Sequence, residues 1–253
     1  MITDSFDNKS KPFITAEQFY GEKERNDIIT IVTFKQKVVD FAIEHLGASL
    51  ETSYHTTNGE QNIYSFTYEE KKYQIYLSGI GATLASILMK EVSVVTGSHN
   101  FIFFGSCGVL DEDKCRGKVI VPTEAYRDEG ISYHYMEPSD YLEIRNSKKV
   151  QNALKELGVP YVAGRDWTTD GIYMETINKV NQHKKEGCLS VEMEVSGIEA
   201  VARHYDIDNY HFMFSADSLG KDTEWERVDL GGDAEAKLQI EAFHVALKIA
   251  SRL

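Results

Sequence analysis

The chain has 253 residues, with 40 acidic against 27 basic side chains and a formal net charge of −13. At about 150 residues per domain this length allows one or two domains, but single α/β domains reach roughly 250 residues, so one compact domain is expected. Its 42% hydrophobic and 26% charged content excludes a disordered chain, and the acidic excess excludes nonspecific attraction to nucleic acid, which needs clustered Lys and Arg.

Cys107, Cys115 and Cys188 form no CxxC pair, and an odd number does not read as a disulfide framework, which points to a reducing compartment. The opening MITDSFDNKSKPF lacks the apolar centre of a secretory signal. No apolar run approaches the ~18 residues of a membrane span. The expectation is a cytoplasmic protein with no membrane or nucleic-acid partner.

Residues 1–27 are polar and read as an exposed N-terminal arm, of the kind that often reaches a neighbouring subunit, ahead of a domain over 28–253. IITIVT (28–33) is a buried strand, and apolar spacing from Lys37 to His45 predicts an amphipathic helix after it. IYSFTY (63–68) and YQIYLS (73–78) flank EEKK as a hairpin. SGIG (78–81) leads into a helix from about Thr83 to Val95, and FIFF (101–104) is a strand ending in GSCG (105–108). KVIVP (118–122) and, more weakly, YVAGRDW (161–167) are further strands. Ser147 is placed to cap the helix KKVQNALKEL, and a helix over roughly 175–185 stops at Gly187. CLSVEME (188–194), a helix to about Tyr205, the strand HFMFSA (211–216), a polar loop and a helix from about Asp233 complete the chain. Alternating strands and helices with two-faced apolar strands predict an α/β class. The fold expected is a single-domain, three-layer one, with a mixed, partly barrel-like central sheet flanked by helices.

Ligands of open α/β sheets bind at the carboxyl ends of strands. Four such ends carry unusual chemistry: Gly79 and Gly81; Gly105, Ser106, Cys107 and Gly108; Glu192 and Glu194; and Asp217. Glycines let backbone N–H groups approach an oxyanion, and carboxylates hold hydroxyls or deliver protons. A dinucleotide fingerprint is not met, because its third glycine position holds Leu84 and the next strand ends in GSCG rather than in an acidic residue. No metal-ligand spacing occurs, so no metal is expected.

Taken in order, SGIGATLASILMKEV (78–92), FFGSCGVL (103–110), GKVIVPTEAYRDEGISYHY (117–135), WTTDGIYMET (167–176), VEMEVSGIEAVA (191–202) and SADSL (215–219) resemble the nucleoside phosphorylase/nucleosidase superfamily. That group contains uridine phosphorylases, hexameric purine nucleoside phosphorylases and methylthioadenosine nucleosidases. The resemblance implies cleavage of an N-glycosidic bond through a ribosyl cation-like transition state, with no cofactor and with phosphate as co-substrate. It assigns Glu194 to the ribose hydroxyls, with the alternative of a first-turn acid favoured by the helix dipole. Met193 becomes an apolar wall for the ribose or plain core, and Glu192 a neighbouring ligand contact or a structural acid. Asp217 becomes the acid for purine N7, or else a turn former. Ile172 and Tyr173 stand where the family contacts the base, or in the core. Gly81, Ser106, Cys107 and Gly108 would line the ligand.

The same resemblance favours a purine. Uridine phosphorylases carry their pyrimidine-reading Gln and Arg in an insertion after the segment matching 168–173, whereas here Tyr173 runs directly into Met174, Glu175 and Thr176. Ser106 matches the family's phosphate-binding Ser/Thr, but the two accompanying arginines have no counterpart: Thr33-Phe34-Lys35-Gln36-Lys37 stands in place of one, and Phe103-Phe104 in place of the other. Lys35, Lys37 and Arg127 are the candidate substitutes, with solvated lysines as the alternative. Arg127 and Asp128 read as a pair shaping their loop. His134 is a candidate for the site or for a subunit boundary. Arg227, in the polar loop KDTEWERVDLGG, is a candidate to support Asp217 or reach the leaving base. The family further implies a homo-oligomer: a dimer, trimer or hexamer.

Overall fold

The computed structural model describes residues 2–57, 59–219 and 233–253. Its strands are β1 (Asn26–Thr33), β2 (Ser49–Thr56), β3 (Gly59–Tyr68), β4 (Lys71–Leu77), β5 (Ser98–Val109), β6 (Val119–Asp128), β7 (Tyr141–Glu143), β8 (Tyr161–Thr169), β9 (Cys188–Glu192) and β10 (Asp208–Ser218). Its helices are α1 (Ala16–Tyr20), α2 (Gln36–Leu46), α3 (Ala82–Thr96), α4 (Glu112–Cys115), α5 (Ser132–Tyr135), α6 (Ser147–Glu156), α7 (Ile177–Glu186), α8 (Val195–His204) and α9 (Asp233–Ala250). Among the described residues no helix is long and apolar enough to cross a membrane.

One sheet in two regimes organises the chain. From one edge, β2, β3, β4, β1 and β5 follow in order as an open sheet, with β1 parallel to both β4 and β5. Beyond β5 the sheet closes, because β10 pairs with β5 on one side and with β6 on the other, and β6–β8–β9 returns to β5. The class is therefore α/β, with a mixed sheet that is partly a barrel.

Successive residues of β1 and β5 serve opposite layers, as the two-residue repeat of a strand requires. Ile31, Ile102 and Phe104 pack with Val38, Ala42, Leu154 and Phe243 from α2, α6 and α9, whereas Val32, Phe101 and Phe103 pack with Met89, Val92, Ile198 and Val201 from α3 and α8. The barrel interior is filled separately, by Cys107, Val109, Ile120, Leu189 and Met213.

Local departures from the sequence reading have simple causes. FIFF does not end a strand at Phe104: β5 runs on to Val109, because both β10 and β9 supply backbone partners to GSCG. Ser147 is the first residue of α6 and makes no capping bond; Asn146 holds the cap position. The segment before β1 is not exposed throughout. α1 lies on α3, with Glu17 2.5 Å from Lys90, and Tyr20 packs edge-on against Tyr54.

The packing of α8 on α3 does most to position the strand ends. A Cβ on Gly197 would lie 2.6 Å from Cγ2 of Ile131 and 2.7 Å from Cβ of Ala82 at the start of α3, so only glycine allows this approach. Gly197→Ala should therefore lower stability by about 1–3 kcal/mol, the usual cost of overpacking, and lower Tm by several degrees. A thermal melt unchanged from wild type would contradict this close packing.

Candidate active site

The site forms where the open sheet meets the barrel. The register Leu77–Thr33 and Val32–Phe103 aligns the carboxyl ends of β4 and β1 with the middle of β5. A Cβ on Gly105 would meet the Phe34 ring at 3.3 Å, which puts the residues after β1 beside GSCG. β9 arrives antiparallel to β5, with Gly108 opposite Val191, so its own carboxyl end, Glu192 to Glu194, points back toward the same junction. Strand-end chemistry is thus preserved for β1, β4 and β9, while Ser106 reaches the site from mid-strand.

Glu194 stands at the cap position of α8, and its Oε1 accepts a 2.6 Å hydrogen bond from the Gly81 backbone N–H, 113 positions away in sequence. The residue is buried. Burial first, and then the negative charge of Glu192, pushes its carboxyl up to about 8; the Gly81 N–H opposes the shift by stabilising the ionised form. Met193 beside it is half-buried.

Glu192 uses both its oxygens within the protein. Oε2 accepts from the N–H groups of Glu194 (2.5 Å) and Val195 (2.8 Å), and Oε1 accepts from the Thr168 hydroxyl (2.6 Å). These donors are free N–H groups of a helix start and one side chain, so Glu192 caps α8 and both its oxygens are engaged within the protein. The Thr168 hydroxyl accepts from the next N–H, that of Ser196 (3.0 Å).

Asp217 lies opposite Gly108 across an irregularity in the β5–β10 pairing between Ser215 and Asp217. A Cβ on Gly108 would come 2.7 Å from Leu219 Cδ1 and 3.0 Å from Val191 Cγ1, so this glycine makes room for those two side chains, with the Asp217 carboxylate 3.4 Å from the same point. Glu175, which the sequence reading passed over, lies close enough to feel Asp217. Burial and then the Asp217 charge raise its carboxyl to about 7. Ile172 and Tyr173, on a 3-10 turn just before it, are 49% and 95% exposed, which excludes a core role for either.

Other expectations fall differently. Ser106 is partly exposed, but Cys107 is buried in the barrel interior, its thiol directed at the Phe214 carbonyl (3.5 Å) and pushed well up by burial, so it does not offer itself to a ligand. Arg127 is 2% exposed and engaged: it donates to the Ser132 hydroxyl (2.8 Å), the Glu137 carbonyl (2.8 Å), the Ser139 hydroxyl (3.0 Å) and the Met136 carbonyl (3.5 Å), and it stacks over Tyr133. It holds the 127–141 loop, and most of its donors are spent there. Nor does it pair with Asp128, which instead accepts from Lys179 (2.9 Å), Thr169 (3.1 Å) and Trp167 (3.2 Å). Lys37 is exposed in the first turn of α2, and His134 is exposed on α5. Arg227 and the loop around it lie outside the described residues. Among the described residues no group of three or more His, Cys, Asp or Glu is arranged to hold a metal ion.

Known proteins agree with this geometry at the level of the fold and the family. The chain superposes on a futalosine hydrolase mutant of Helicobacter pylori with a TM-score of 0.72 at 14% identity, covering 90% of this chain and all of that one, a likeness of fold. It is 28% identical over 167 residues to a DeoD-type purine nucleoside phosphorylase of Caldanaerobacter subterraneus, covering 64% of this chain and 72% of that protein. A second DeoD-type purine nucleoside phosphorylase, from Tolumonas auensis, is 27% identical over 195 residues, covering 75% of this chain and 79% of the other. The family model described as the phosphorylase superfamily matches residues 27–250, and with nearly the whole chain so matched, the protein belongs to that superfamily.

Proposed function

We propose that the protein cleaves the N-glycosidic bond of a purine nucleoside, with phosphate as the acceptor, giving free base and ribose 1-phosphate. The observation that carries this reading is the presence near one junction of Glu194, anchored on the Gly81 N–H, and of Asp217, opposite Gly108 in the β5–β10 ladder: one buried carboxylate for the sugar and a second acid for the base. In this reading Glu194 accepts the ribose 2′- and 3′-hydroxyls, and its charge stabilises the cation that develops as the bond breaks. Those donors favour the ionised carboxylate, which the free site disfavours. Asp217 gives a proton or a hydrogen bond to N7, since a neutral base leaves more readily than its anion. Glu175, held near neutrality, is placed to resupply it. The exposed Tyr173 and Ile172 close over the base. Ser106 takes the phosphate, with Lys35 and Lys37 as the nearest cations on the chain after β1.

One observation favours water as the acceptor instead. Arg127 is committed to its loop, and the groups around the junction are dominated by carboxyls, which repel an anion. Release of base from inosine, adenosine and methylthioadenosine, measured with and without phosphate, decides between the two; a rate that depends on phosphate removes the hydrolytic reading.

We also infer self-assembly, because Ile80, Leu84 and Ile87 leave an exposed apolar strip at the start of α3, next to Gly81, where a second copy would border the site. Sedimentation should give more than one subunit, and Leu84→Glu with Ile87→Glu should shift the protein toward a monomer.

Asp217→Asn should lower turnover of purine nucleosides by about 10²–10⁴-fold, the usual share of a positioned acid, while substrate still binds; unchanged turnover would reject Asp217 as the acid. The charge state of Glu194 gives a second prediction. A carboxyl raised from about 4.3 when unfolded to about 8 when folded contributes stability that is complete below about pH 4 and lost as pH rises through 8. Glu194→Gln keeps the acceptor for Gly81 but has no proton to lose. In calorimetry without ligand, its Tm advantage over wild type should therefore grow from pH 5 to pH 8, and a flat difference would sink the assignment.

A further inference from the structure

Behind Glu194 lies a buried acid that neither the family's motifs nor the proposed reaction uses. Asp166 on β8 is 0% exposed, and its neighbour across the β8–β9 ladder is Ser190, two residues before Glu192. Its Oδ1 accepts from the Ser190 hydroxyl at 2.6 Å, but among the described residues no N–H or O–H donor reaches Oδ2. What Asp166 does meet is the Glu192 carboxyl, which the β8–β9 register places on the same face, two residues beyond Ser190, and whose charge and proton bear on it. Two carboxyls can hydrogen-bond only if one of them carries a proton.

The donor count shows where that proton rests. Glu192 accepts three hydrogen bonds, two of them from the positive end of α8, so its charge is well supported; Asp166 accepts one from the Ser190 hydroxyl and is otherwise approached only by the Trp167 N–H. The groups facing the pair do not relieve it. Glu194 bears on it from the start of α8, Cys107 from β5 and Cys188 from β9, each neutral or negative. Among the described residues no Lys, Arg or His is hydrogen-bonded to either acid.

We propose that Asp166 is a positioning residue: it keeps its proton, donates it from Oδ2 to Glu192, and so fixes Glu192 as the singly charged cap that holds the start of α8 and, through it, the Glu194 carboxylate. The proposal rests on the ribose-binding role of Glu194. Its second consequence is electrostatic. With one proton shared, the pair carries a single negative charge behind Glu194; with none it would carry two, and Glu194 would be driven toward its neutral form, in which it no longer stabilises a developing cation. Burial raises both acids above the ordinary carboxylate range, and the charge of Asp166 raises Glu192 further, in keeping with one proton retained by the pair.

The test uses the full-length protein and three variants. Asparagine is the isostere of a neutral aspartic acid and supplies a permanent donor. In the infrared spectrum at pH 9, where the carboxyls raised to about 7 (Glu175) and about 8 (Glu194) have largely released their protons, wild type and Glu194→Gln should both keep a protonated-carboxyl band that Asp166→Asn lacks. Its absence from wild type at that pH, or its survival in Asp166→Asn, overturns the shared proton. The folded-state affinity for that proton also means that wild type loses stability relative to Asp166→Asn as pH rises above about 4; parallel stability curves for the two overturn it equally. For the positioning role, Asp166→Ala should lower kcat/KM roughly tenfold or more by leaving Glu192 without its partner, and Asp166→Asn should recover most of that loss. Equal kcat/KM in wild type and Asp166→Ala overturns the role. The infrared and stability measurements need no substrate, so a failure of the nucleoside reading would appear separately, as wild type inactive on every nucleoside with or without phosphate.

Discussion

The hydrogen bond from the Gly81 N–H to Glu194 depends on helix approach before it depends on chemistry. Gly81 ends the loop from β4 into α3, and Glu194 ends the loop from β9 into α8, so their separation is set by how closely the two helices pack. Gly197 sets that distance, since any side chain there would strike Ala82 and Ile131. From this contact come the burial of Glu194 and the need for Glu192 and Thr168 to satisfy the N–H groups that the buried helix start leaves open. The anchor is thus a tertiary contact between two helix starts, and neither loop defines it alone.

Concentrating acids at one junction has an energetic cost that the surrounding fold distributes. Asp166, Glu192 and Glu194 are buried, and Glu175 and Asp217 stand at the edge. Each is handled differently: Glu192 by helix N–H groups, Glu194 by one backbone donor and a raised affinity for its proton, Glu175 by a similar rise. A further acid, Glu129, is buried nearby and is satisfied by the hydroxyls of Ser132 and Ser196, the latter in the first turn of α8. Through Ser132 it also connects to Arg127, whose guanidinium ties down the loop on the far side. The one well-buried arginine of the described region is therefore committed to architecture. This arrangement suits a neutral, hydroxyl-bearing ligand, because hydroxyl donors are what unsatisfied carboxylate oxygens lack.

The sequence made the layers readable, and it located the two acids to which the proposed reaction assigns its chief roles, for physical reasons. Two-faced apolar runs such as IITIVT and FIFF need helices on both sides, and they have them; VEME and SADSL place acids where strands end. What could not be read was anything set by partners distant in sequence. GSCG reads as the end of the FIFF strand, but β9 and β10 supply ladder partners that keep it extended. Arg127 looks available because four acceptors that consume it come from the following loop in a geometry no spacing rule encodes. Asp166 sits in GRDW with nothing to mark it, and becomes unusual only when the β8–β9 ladder brings it to Glu192. Glu175 likewise gains part of its raised proton affinity from Asp217, far along the chain. The β2 strand went unseen because SLETSYHT alternates weakly and lies at the open edge, where burial is incomplete.

The net charge of −13 acquires a sharper meaning from this geometry. Under the proposed reaction two ligands act on Glu194 in opposite directions. Ribose hydroxyls donate to it and favour the anion, while a phosphate anion near Ser106 repels it and favours the acid. A group held up to about 8 in the free site is poised where either influence decides its state near neutral pH. Nucleoside must then supply the hydroxyl donors that keep Glu194 charged before an anionic nucleophile can be tolerated beside it. Water, carrying no charge, imposes no such order. The choice of nucleophile is thereby tied to a single proton on Glu194, and that proton is governed in turn by how much charge the Asp166–Glu192 pair places behind it.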